Sequence, residues 1–255
     1  MDYKIRLEDV SYIYQDQLAL SKINIVIKEG EFISIIGPSG CGKSTLLSLL
    51  SGLNSPLQGG IFLNGEEIEG VGLDRGVVFQ HYSLFPWMDA KKNVVFGLRQ
   101  IYKDKSKSQL EAVADRYLEL VGLKEAAHKY PAQLSGGMQQ RVAIARAFAM
   151  NPGILLMDEP FGAVDAKNRV LLQDLLLKLW DSGEEKKTVV FVTHDIDEAI
   201  LLSDRIVVFS AGPGTVKKDI EVEFERPRDR STLMGKSQYR ELRNRLVSLL
   251  YDDLN

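Results

Sequence analysis

The sequence predicts an α/β fold with a parallel sheet at its core and a helical segment inserted into it. Three short runs are apolar almost throughout, which is typical of strands buried on both faces; they span 32–36, 153–158 and 188–193. A glycine-rich loop joins the first run to a leucine-rich helix. From about 85 to 150 the apolar residues instead recur with helical spacing, and we expect helices at 90–100, 109–121 and 136–150.

The remaining elements follow from local periodicity and turn residues. Alternation with period two, together with turn dipeptides such as Asn64-Gly65, predicts further strands. A leucine-rich amphipathic stretch predicts another helix after the second apolar run. In chain order, these expected elements are strands at 4–14, 23–27, 61–63 and 77–80, a helix at 166–181, two strands within 205–222 around a turn at 212–214, and a helix at 239–251.

Composition excludes several classes of protein. The chain has 255 residues, 45% of them hydrophobic, and a net charge of -3, so it can bury a sizeable core and has no overall basic character for nucleic acid. Its single cysteine, Cys41, rules out a disulfide framework within the chain. The chain shows no signal-peptide pattern and no apolar stretch of bilayer length. We therefore expect a protein that is soluble by itself and that meets a membrane only through a partner.

The loop after the first apolar run has the pattern G-x-x-x-x-G-K-[ST]. Its glycines allow consecutive backbone N–H groups to turn toward one anion, and the following helix directs the positive end of its dipole to the same place. Lys43 adds a positive charge for the β- and γ-phosphates, and Ser44 offers a hydroxyl to Mg²⁺. The pattern predicts a nucleotide site formed by Gly37, Pro38, Ser39, Gly40, Cys41, Gly42, Lys43, Ser44 and Thr45.

Two acidic residues close the second apolar run. A carboxylate at the end of a buried strand is costly unless it is paired or bound to a metal. Asp158 is therefore a candidate ligand of Mg²⁺ at the phosphate loop. Glu159 is a candidate base that polarises the water attacking the γ-phosphate.

Several positions allow a functional and a purely structural interpretation from pattern alone. Tyr14 could stack on adenine or pack within its strand, and Tyr12 is expected on the same side of that strand. Gln80 could contact Mg²⁺ or water, or cap its strand. His194 could face a ligand at the carboxyl end of the sheet, or only cap its strand. The apolar segment 84–88, Leu-Phe-Pro-Trp-Met, could dock a partner or close the local core.

The stretch Leu134-Ser135-Gly136-Gly137-Met138-Gln139-Gln140 opens a predicted helix with Ser135 as its N-cap. Its glycines leave backbone donors that suit a phosphate, although a plain capped helix is the simpler interpretation of this stretch alone. Taken with the phosphate loop and the polar strand ends, in this order along the chain, it resembles the nucleotide-binding subunit of ABC transporters. The L-S-G-G signature is the most specific part, because it separates this family from other P-loop ATPases.

The resemblance implies a P-loop NTPase with the ABC ATPase fold. Such a fold has a RecA-like α/β core, an antiparallel β subdomain and an inserted α-helical subdomain. The implied nucleotide-binding domain is 1–230, with its core at 1–84 and 151–230 and the helical subdomain, which carries the signature, at 85–150. A C-terminal helical tail follows at 231–255.

The resemblance also implies roles for single residues. Tyr14 ends a V-S-x-x-aromatic pattern and corresponds to the aromatic that stacks on adenine. Two copies pack head to tail in this family, so that the signature of one copy covers the ATP on the phosphate loop of the other. The residues implied to reach that ATP across the homodimer are Ser135, Gly136, Gly137, Gln139 and Asp165. The implied catalytic residues are Glu159, His194, Gln80 and Lys43, and the implied Mg²⁺ ligands are Ser44, Gln80 and Asp158.

A narrower resemblance links the chain to importers of nitrate, sulfonates and taurine. It rests on the segments 83–87, 211–214 and 225–230. It implies an integral membrane permease and, indirectly, a periplasmic or lipid-anchored substrate-binding protein as partners. No nucleic-acid partner is expected, because the charge balance is acidic. The subunit would then lie peripherally on the cytoplasmic face of the cell membrane.

Three other classes compete with the transporter interpretation. A chromosome-maintenance ATPase of the SMC type shares the signature, but it requires a long heptad insertion for which this chain has no room. A soluble ABC-type ATPase that acts as an assembly scaffold is the alternative that we retain. A binding module without turnover is disfavoured because Glu159 is present as a base.

Overall fold

The computed structural model describes residues 3–162, 164–181 and 186–251. No helix within these ranges is both long and apolar enough to cross a membrane. The strands and helices in chain order are β1 (Ile5–Tyr14), β2 (Gln17–Ile27), β3 (Phe32–Ile36), α1 (Lys43–Leu50), β4 (Gln58–Leu63), β5 (Glu66–Glu67), β6 (Arg75–Val78), α2 (Ala90–Ile101), α3 (Lys107–Leu120), single 3-10 turns at Lys124–Ala126 and Pro131–Gln133, α4 (Gly136–Ala149), β7 (Ile154–Asp158), α5 (Ala166–Asp181), β8 (Thr188–Val192), α6 (Ile196–Leu202), β9 (Arg205–Phe209), β10 (Val216–Glu221), α7 (Arg230–Gly235) and α8 (Ser237–Tyr251).

The chain divides into two compact units. The first combines Met1–Val71 with Lys186–Asn255, and the second is Gly72–Glu185. The subdomain limits that the family resemblance implies are not tested by this division and stay a prediction.

The first unit contains an antiparallel sheet and a mainly parallel sheet. The antiparallel sheet has the strand order β2-β1-β4-β5. In the other, β3 lies between β8 and β9 and is parallel to both, and β10 is antiparallel to β9. Every residue of β3 and β8 is buried, because α1 packs near β8 and α6 near β3. The two continuous apolar runs therefore form central parallel strands, as predicted.

The second unit is mostly helical. Strands β6 and β7 pair in parallel, and α2, α3 and α4 pack on one another, with α4 also contacting β6 and α5. The predicted helices are confirmed to within about two residues, because their ends carry local signals. Asp89 caps α2, Ser106 forms a capping box with Gln109 at the start of α3, and Gly122 follows α3 with a φ of 70°.

Several predicted strand boundaries are wrong. Strand β2 begins at Gln17 rather than at residue 23, and β4 begins at Gln58 rather than at residue 61. Strand β6 ends at Val78 rather than Gln80, and Phe79 is 38% exposed, because the chain leaves its pairing with β7 after Met157. The predicted C-terminal helical tail contains a short helix, α7 at Arg230–Gly235, ahead of α8. Asp229 caps this helix by accepting a hydrogen bond from the Thr232 N–H at 2.9 Å.

Candidate functional site

The phosphate loop connects β3 to α1. Strand β3 ends at Ile36, and α1 begins after Gly42, whose φ of 91° favours glycine. The ammonium of Lys43 folds back and donates hydrogen bonds to the carbonyl oxygens of Gly37 and Pro38, at 2.8 and 2.9 Å. Lys43 is only 7% exposed. The loop therefore holds a positive charge beside a helix N-terminus, an arrangement that binds anions.

Cys41 packs inside the phosphate loop. Burial raises the pKa of its thiol, and the neighbouring Lys43 ammonium partly opposes that shift. In the part of the chain that the structure describes, no group of three or more His, Cys, Asp or Glu side chains is arranged to hold a metal ion. The Cys41 side chain is 1% exposed and therefore fills space inside the loop.

Two distant segments of the first unit support the phosphate loop from outside. A Cβ atom at Gly42 would lie 2.6 Å from Leu20 Cδ2 and 2.8 Å from the Ala19 carbonyl oxygen. A Cβ atom at Gly214 would overlap the carbonyl oxygen of Cys41. The N–H of Gly214 also donates to the Ala19 carbonyl at 2.9 Å. The predicted turn at 212–214 therefore buttresses the phosphate loop, a role that no local pattern indicated.

We expect Gly214→Ala to displace the phosphate loop and to weaken ATP binding. Overpacking a close backbone contact costs about 1–3 kcal/mol, which corresponds to a roughly tenfold loss of affinity if it falls on the loop. Nucleotide titration and thermal unfolding would measure both effects. Gly235→Ala is the matched control, because a Cβ atom there has nothing within 4 Å. Wild-type ATP affinity in Gly214→Ala would contradict the buttressing role.

Tyr14 lies at the end of the β1–β2 hairpin. The two-residue turn consists of Gln15 and Asp16, with φ values of 46° and 63°. The Tyr14 side chain is 56% exposed, whereas Tyr12 is half-buried and pairs with Leu20. Of the two tyrosines, Tyr14 thus has the ring face that is more available for stacking.

His194 and the phosphate loop leave the sheet of the first unit at the same edge. Parallel pairing places Ile35 opposite Val192, and the Thr193 N–H donates to the Ile35 carbonyl at 3.3 Å. The side chain of His194 is exposed there. The structure therefore brings His194 to the carboxyl end of the strand next to the phosphate loop, where open parallel sheets bind ligands.

Gln80 and Glu159 come together in the second unit. They follow β6 and β7, whose parallel pairing places Val78 opposite Met157. A Cβ atom at Gly162 would lie 3.6 Å from both Gln80 Nε2 and Glu159 Oε2, so the two side chains converge on one point. Glu159 has a φ of 40°, a strained value for a residue with a side chain, and such strain is concentrated at functional sites.

The signature lies at the N-terminus of α4, as predicted. The exposed Ser135 caps the helix, and its Oγ accepts a hydrogen bond from the Met138 N–H at 3.3 Å. The side-chain amide of Gln139 donates to the Leu134 carbonyl at 3.2 Å. The glycines that follow Ser135 leave the first turn of the helix without bulky side chains, which suits close approach of an anion.

Asn168 links the signature to Asp165, and sequence reasoning missed it. Its side chain donates to Asp165 Oδ2 at 2.6 Å and its N–H to Asp165 Oδ1 at 3.0 Å, and these bonds lower the pKa of Asp165. A Cβ atom at Gly137 would lie 3.4 Å from Asn168 Cγ. Asn168 lies in the first turn of α5. It therefore neighbours both Asp165 and Gly137, the two residues of this group that are predicted to reach the partner copy.

The loop between Gln80 and α2 is fixed at two points that the sequence did not indicate. Arg146 of α4 donates to the carbonyl oxygens of Ser83 and Tyr82, at 2.9 and 3.4 Å, where both residues have positive φ values. Asn93, which is fully buried, accepts from the Phe85 N–H at 2.8 Å and donates to the carbonyls of Phe85, Met88 and Asp89. The loop is thus a rigid connection between Gln80 and the helical part of this unit.

Comparison with known proteins identifies the family. The family model described as ABC transporter matches residues 20–162. The chain is 48% identical over 235 residues to the nitrate import ATP-binding protein NrtD of Synechococcus elongatus, covering 92% of this chain and 85% of that protein. It is 45% identical over 251 residues to the bicarbonate transport ATP-binding protein CmpD of the same species, covering 96% and 90%. A solved ATP-binding cassette, a dimer in a post-hydrolysis state bound to ADP and Pi, matches with a TM-score of 0.75 and 36% identity over 87% of this chain and 100% of that chain.

The fold is therefore that of the ABC ATPase cassettes, an α/β P-loop NTPase, as the sequence predicts. The chain belongs to the ABC transporter family, as an ATP-binding subunit of importers. It is an ATPase whose cofactors are ATP and Mg²⁺. The comparisons give no support to the assembly-scaffold alternative. The roles of the individual site residues stay predictions.

Proposed function

We propose that this chain is the ATP-hydrolysing subunit that powers an importer of small anions such as nitrate. The observation that supports this most is its 48% identity to a nitrate import subunit over 92% of the chain. Bicarbonate, which a second relative serves according to its name, lies outside the anions that the sequence predicted. Alkanesulfonates and taurine remain candidate cargoes within the proposal.

The proposed reaction is attack of water on the γ-phosphate. The Lys43 ammonium and the loop N–H groups neutralise the phosphates, and Glu159 polarises the water as general base. Gln80 and His194 are proposed to sense and contact the γ-phosphate. The adenine is proposed to stack on Tyr14, a residue that is 56% exposed.

The residues proposed for Mg²⁺ fit its chemistry. Mg²⁺ prefers oxygen ligands and, when bound to a nucleotide, takes only one or two of them from carboxylates. The Ser44 hydroxyl, the Gln80 amide oxygen and the Asp158 carboxylate supply such oxygens. The ion would neutralise charge on the β- and γ-phosphates.

We propose that the working form is a head-to-tail homodimer. The support is that Ser135 is exposed at a glycine-rich helix N-terminus, which suits a phosphate of another copy. Asn168 contacts both Asp165 and Gly137, so a shift of either residue on binding the partner copy would also move the other. ATP bound between the copies would close the dimer, and hydrolysis would release it.

A groove on the helical part of the second unit suits a permease helix. It has a volume of about 520 Å³, an apolar lining that includes Val95 and Phe96, and more basic than acidic side chains. Trp87 is 69% exposed beside Met88 and packs against Phe85, with 5.4 Å between the ring centroids and the ring planes tilted by 47°. We infer that a cytoplasmic helix of the permease, with apolar and acidic side chains, binds here. The groove is lined by Met88, Asp89, Lys91, Lys92, Val95, Phe96, Arg99, Lys107, Glu111 and His128.

This docking would place the subunit peripherally on the cytoplasmic face of the cell membrane. The permease would in turn receive cargo from a periplasmic or lipid-anchored substrate-binding protein. Neither the cargo nor the binding protein would touch this chain. The net charge of -3 disfavours nucleic acid as a partner.

We expect the ATPase activity of the subunit, reconstituted in vesicles with its permease and binding protein, to rise when the transported anion is added. The closed dimer is the hydrolytic state, and loaded binding protein would favour it through the permease. Nitrate, bicarbonate, an alkanesulfonate and taurine would be compared at equal ionic strength. A complex with Glu159→Gln controls for contaminating ATPases, and a neutral sugar controls for the solute.

Each outcome decides a different part of the proposal. Stimulation by one anion would establish the cargo. Stimulation only by the sugar would support the role in transport but contradict the proposal that the cargo is a small anion. Failure to assemble with any permease would overturn the transport function itself.

A further inference from the structure

The turn that carries His194 is tied on both sides to α6. The hydroxyl of buried Thr193 donates to Glu198 Oε2 at 2.7 Å and accepts the Asp195 N–H at 3.0 Å. Asp195 caps α6, because its Oδ1 accepts the N–H groups of Asp197 and Glu198 at 2.9 and 3.1 Å. The backbone on either side of His194 therefore moves with the first turn of α6.

The first turn of α6 is held by the C-terminal helix α8. Asp197 Oδ1 accepts hydrogen bonds from the Tyr239 hydroxyl at 2.6 Å and from Arg243 Nε at 2.8 Å. Tyr239 is 4% exposed, and burial together with the Asp197 carboxylate raises the pKa of its phenol, so it remains a donor. Tyr239 and Arg243 are four positions apart on α8 and so share one face of that helix.

The segment before α8 holds the other end of α6. A helix leaves its last carbonyl groups without donors of its own, and α6 has only seven residues. Arg226 and Arg228 donate to carbonyl oxygens at this end, those of Ile200, Leu201, Leu202 and Ser203. The C-terminal segment thus anchors α6 at both ends.

We infer that Tyr239 and Arg243 are positioning residues for ATP hydrolysis, because through Asp197 they fix the first turn of α6 and with it the placement of His194. This inference rests on the proposed role of His194 at the γ-phosphate. A helix as short as α6 is marginal without outside support. Its first turn also collects the carboxylates of Asp195, Asp197 and Glu198, and Arg243 supplies a positive charge beside them.

The test compares turnover and ATP binding in the full-length chain. We expect Arg243→Ala to lower kcat about tenfold, since misplacing a catalytic group on the order of 1 Å can cost even more. Tyr239→Phe should lower kcat less than Arg243→Ala does. Arg243→Lys, which keeps the positive charge, should retain most of the wild-type kcat. KM for ATP should stay unchanged, since neither side chain belongs to the proposed binding residues. Arg240→Ala, which removes an exposed arginine of the same helix, should leave both parameters unchanged.

A double-mutant cycle separates positioning of His194 from a general structural effect. If Arg243 acts through His194, Arg243→Ala should cost nothing further in a His194→Ala background, measured on residual turnover. Wild-type kcat in both Arg243→Ala and Tyr239→Phe would overturn the inference alone, as would a full additional loss in the His194→Ala background. Wild-type turnover in His194→Ala by itself would overturn the proposed role of His194 and the inference with it.

Discussion

Glu159→Gln is expected to abolish ATP turnover while ATP binding persists. The substitution removes the carboxylate that would take a proton from the attacking water, and general-base catalysis contributes about 10²–10⁴-fold. Gln has nearly the shape of Glu, so the strained turn between Glu159 and Gly162, closed by a 3.0 Å hydrogen bond, should survive. ATP bound without hydrolysis should therefore hold the dimer closed. Phosphate release and light scattering with ATP would measure the two effects.

The control for this prediction is an exposed glutamate far from any proposed role. Glu66→Gln on β5 makes the same chemical change on an exposed strand and should alter neither turnover nor dimerisation. Turnover in Glu159→Gln at the wild-type rate would remove Glu159 from the role of base. Lost turnover together with lost ATP binding would mean that Glu159 acts on the structure of the turn instead.

The elements that local sequence determines were predicted well. Helix α5 spans the predicted 166–181, and α4 begins behind Ser135 as expected. Such limits are encoded by a capping side chain and a helical period within a few residues. Continuous apolarity likewise identified β3 and β8 as buried parallel strands. The phosphate loop was also predicted from local sequence, because the glycines, Lys43 and Ser44 that define its pattern all lie within one short loop.

The parts of the candidate site that depend on distant segments were not predicted. Arg146 holds carbonyl groups more than sixty positions earlier in the chain, and nothing near Arg146 specifies these acceptors. The contact of Gly214 with Cys41 exists only because the turn after β9 returns to the phosphate loop. Asn168 was overlooked because an asparagine in a first helical turn is ordinary in sequence. Pattern therefore predicts which residues carry chemistry, and the fold determines which residues hold them in place.

Lys43→Ala is expected to remove most of the affinity for ATP. Charge-assisted hydrogen bonds are worth about 1.5–3 kcal/mol, so loss of the ammonium should weaken binding on the order of 10–100-fold. The ammonium already bonds to Gly37 and Pro38 across the loop, and the Ala variant loses this clamp as well as the charge. Titration with a nucleotide analogue would measure the affinity, and thermal unfolding would measure the effect on the loop.

Lys43→Arg distinguishes the charge from the clamp. Arg keeps the positive charge, but its planar guanidinium is larger than the compact ammonium of Lys43, a residue that is only 7% exposed. We expect partial recovery of ATP affinity and little recovery of turnover, because phosphate attraction depends on charge whereas hydrolysis depends on placement. Lys28→Ala, which removes an exposed lysine, controls for the change in net charge. Wild-type affinity in Lys43→Ala would refute the assignment of this loop to the nucleotide phosphates, and with it the mechanism built on Glu159.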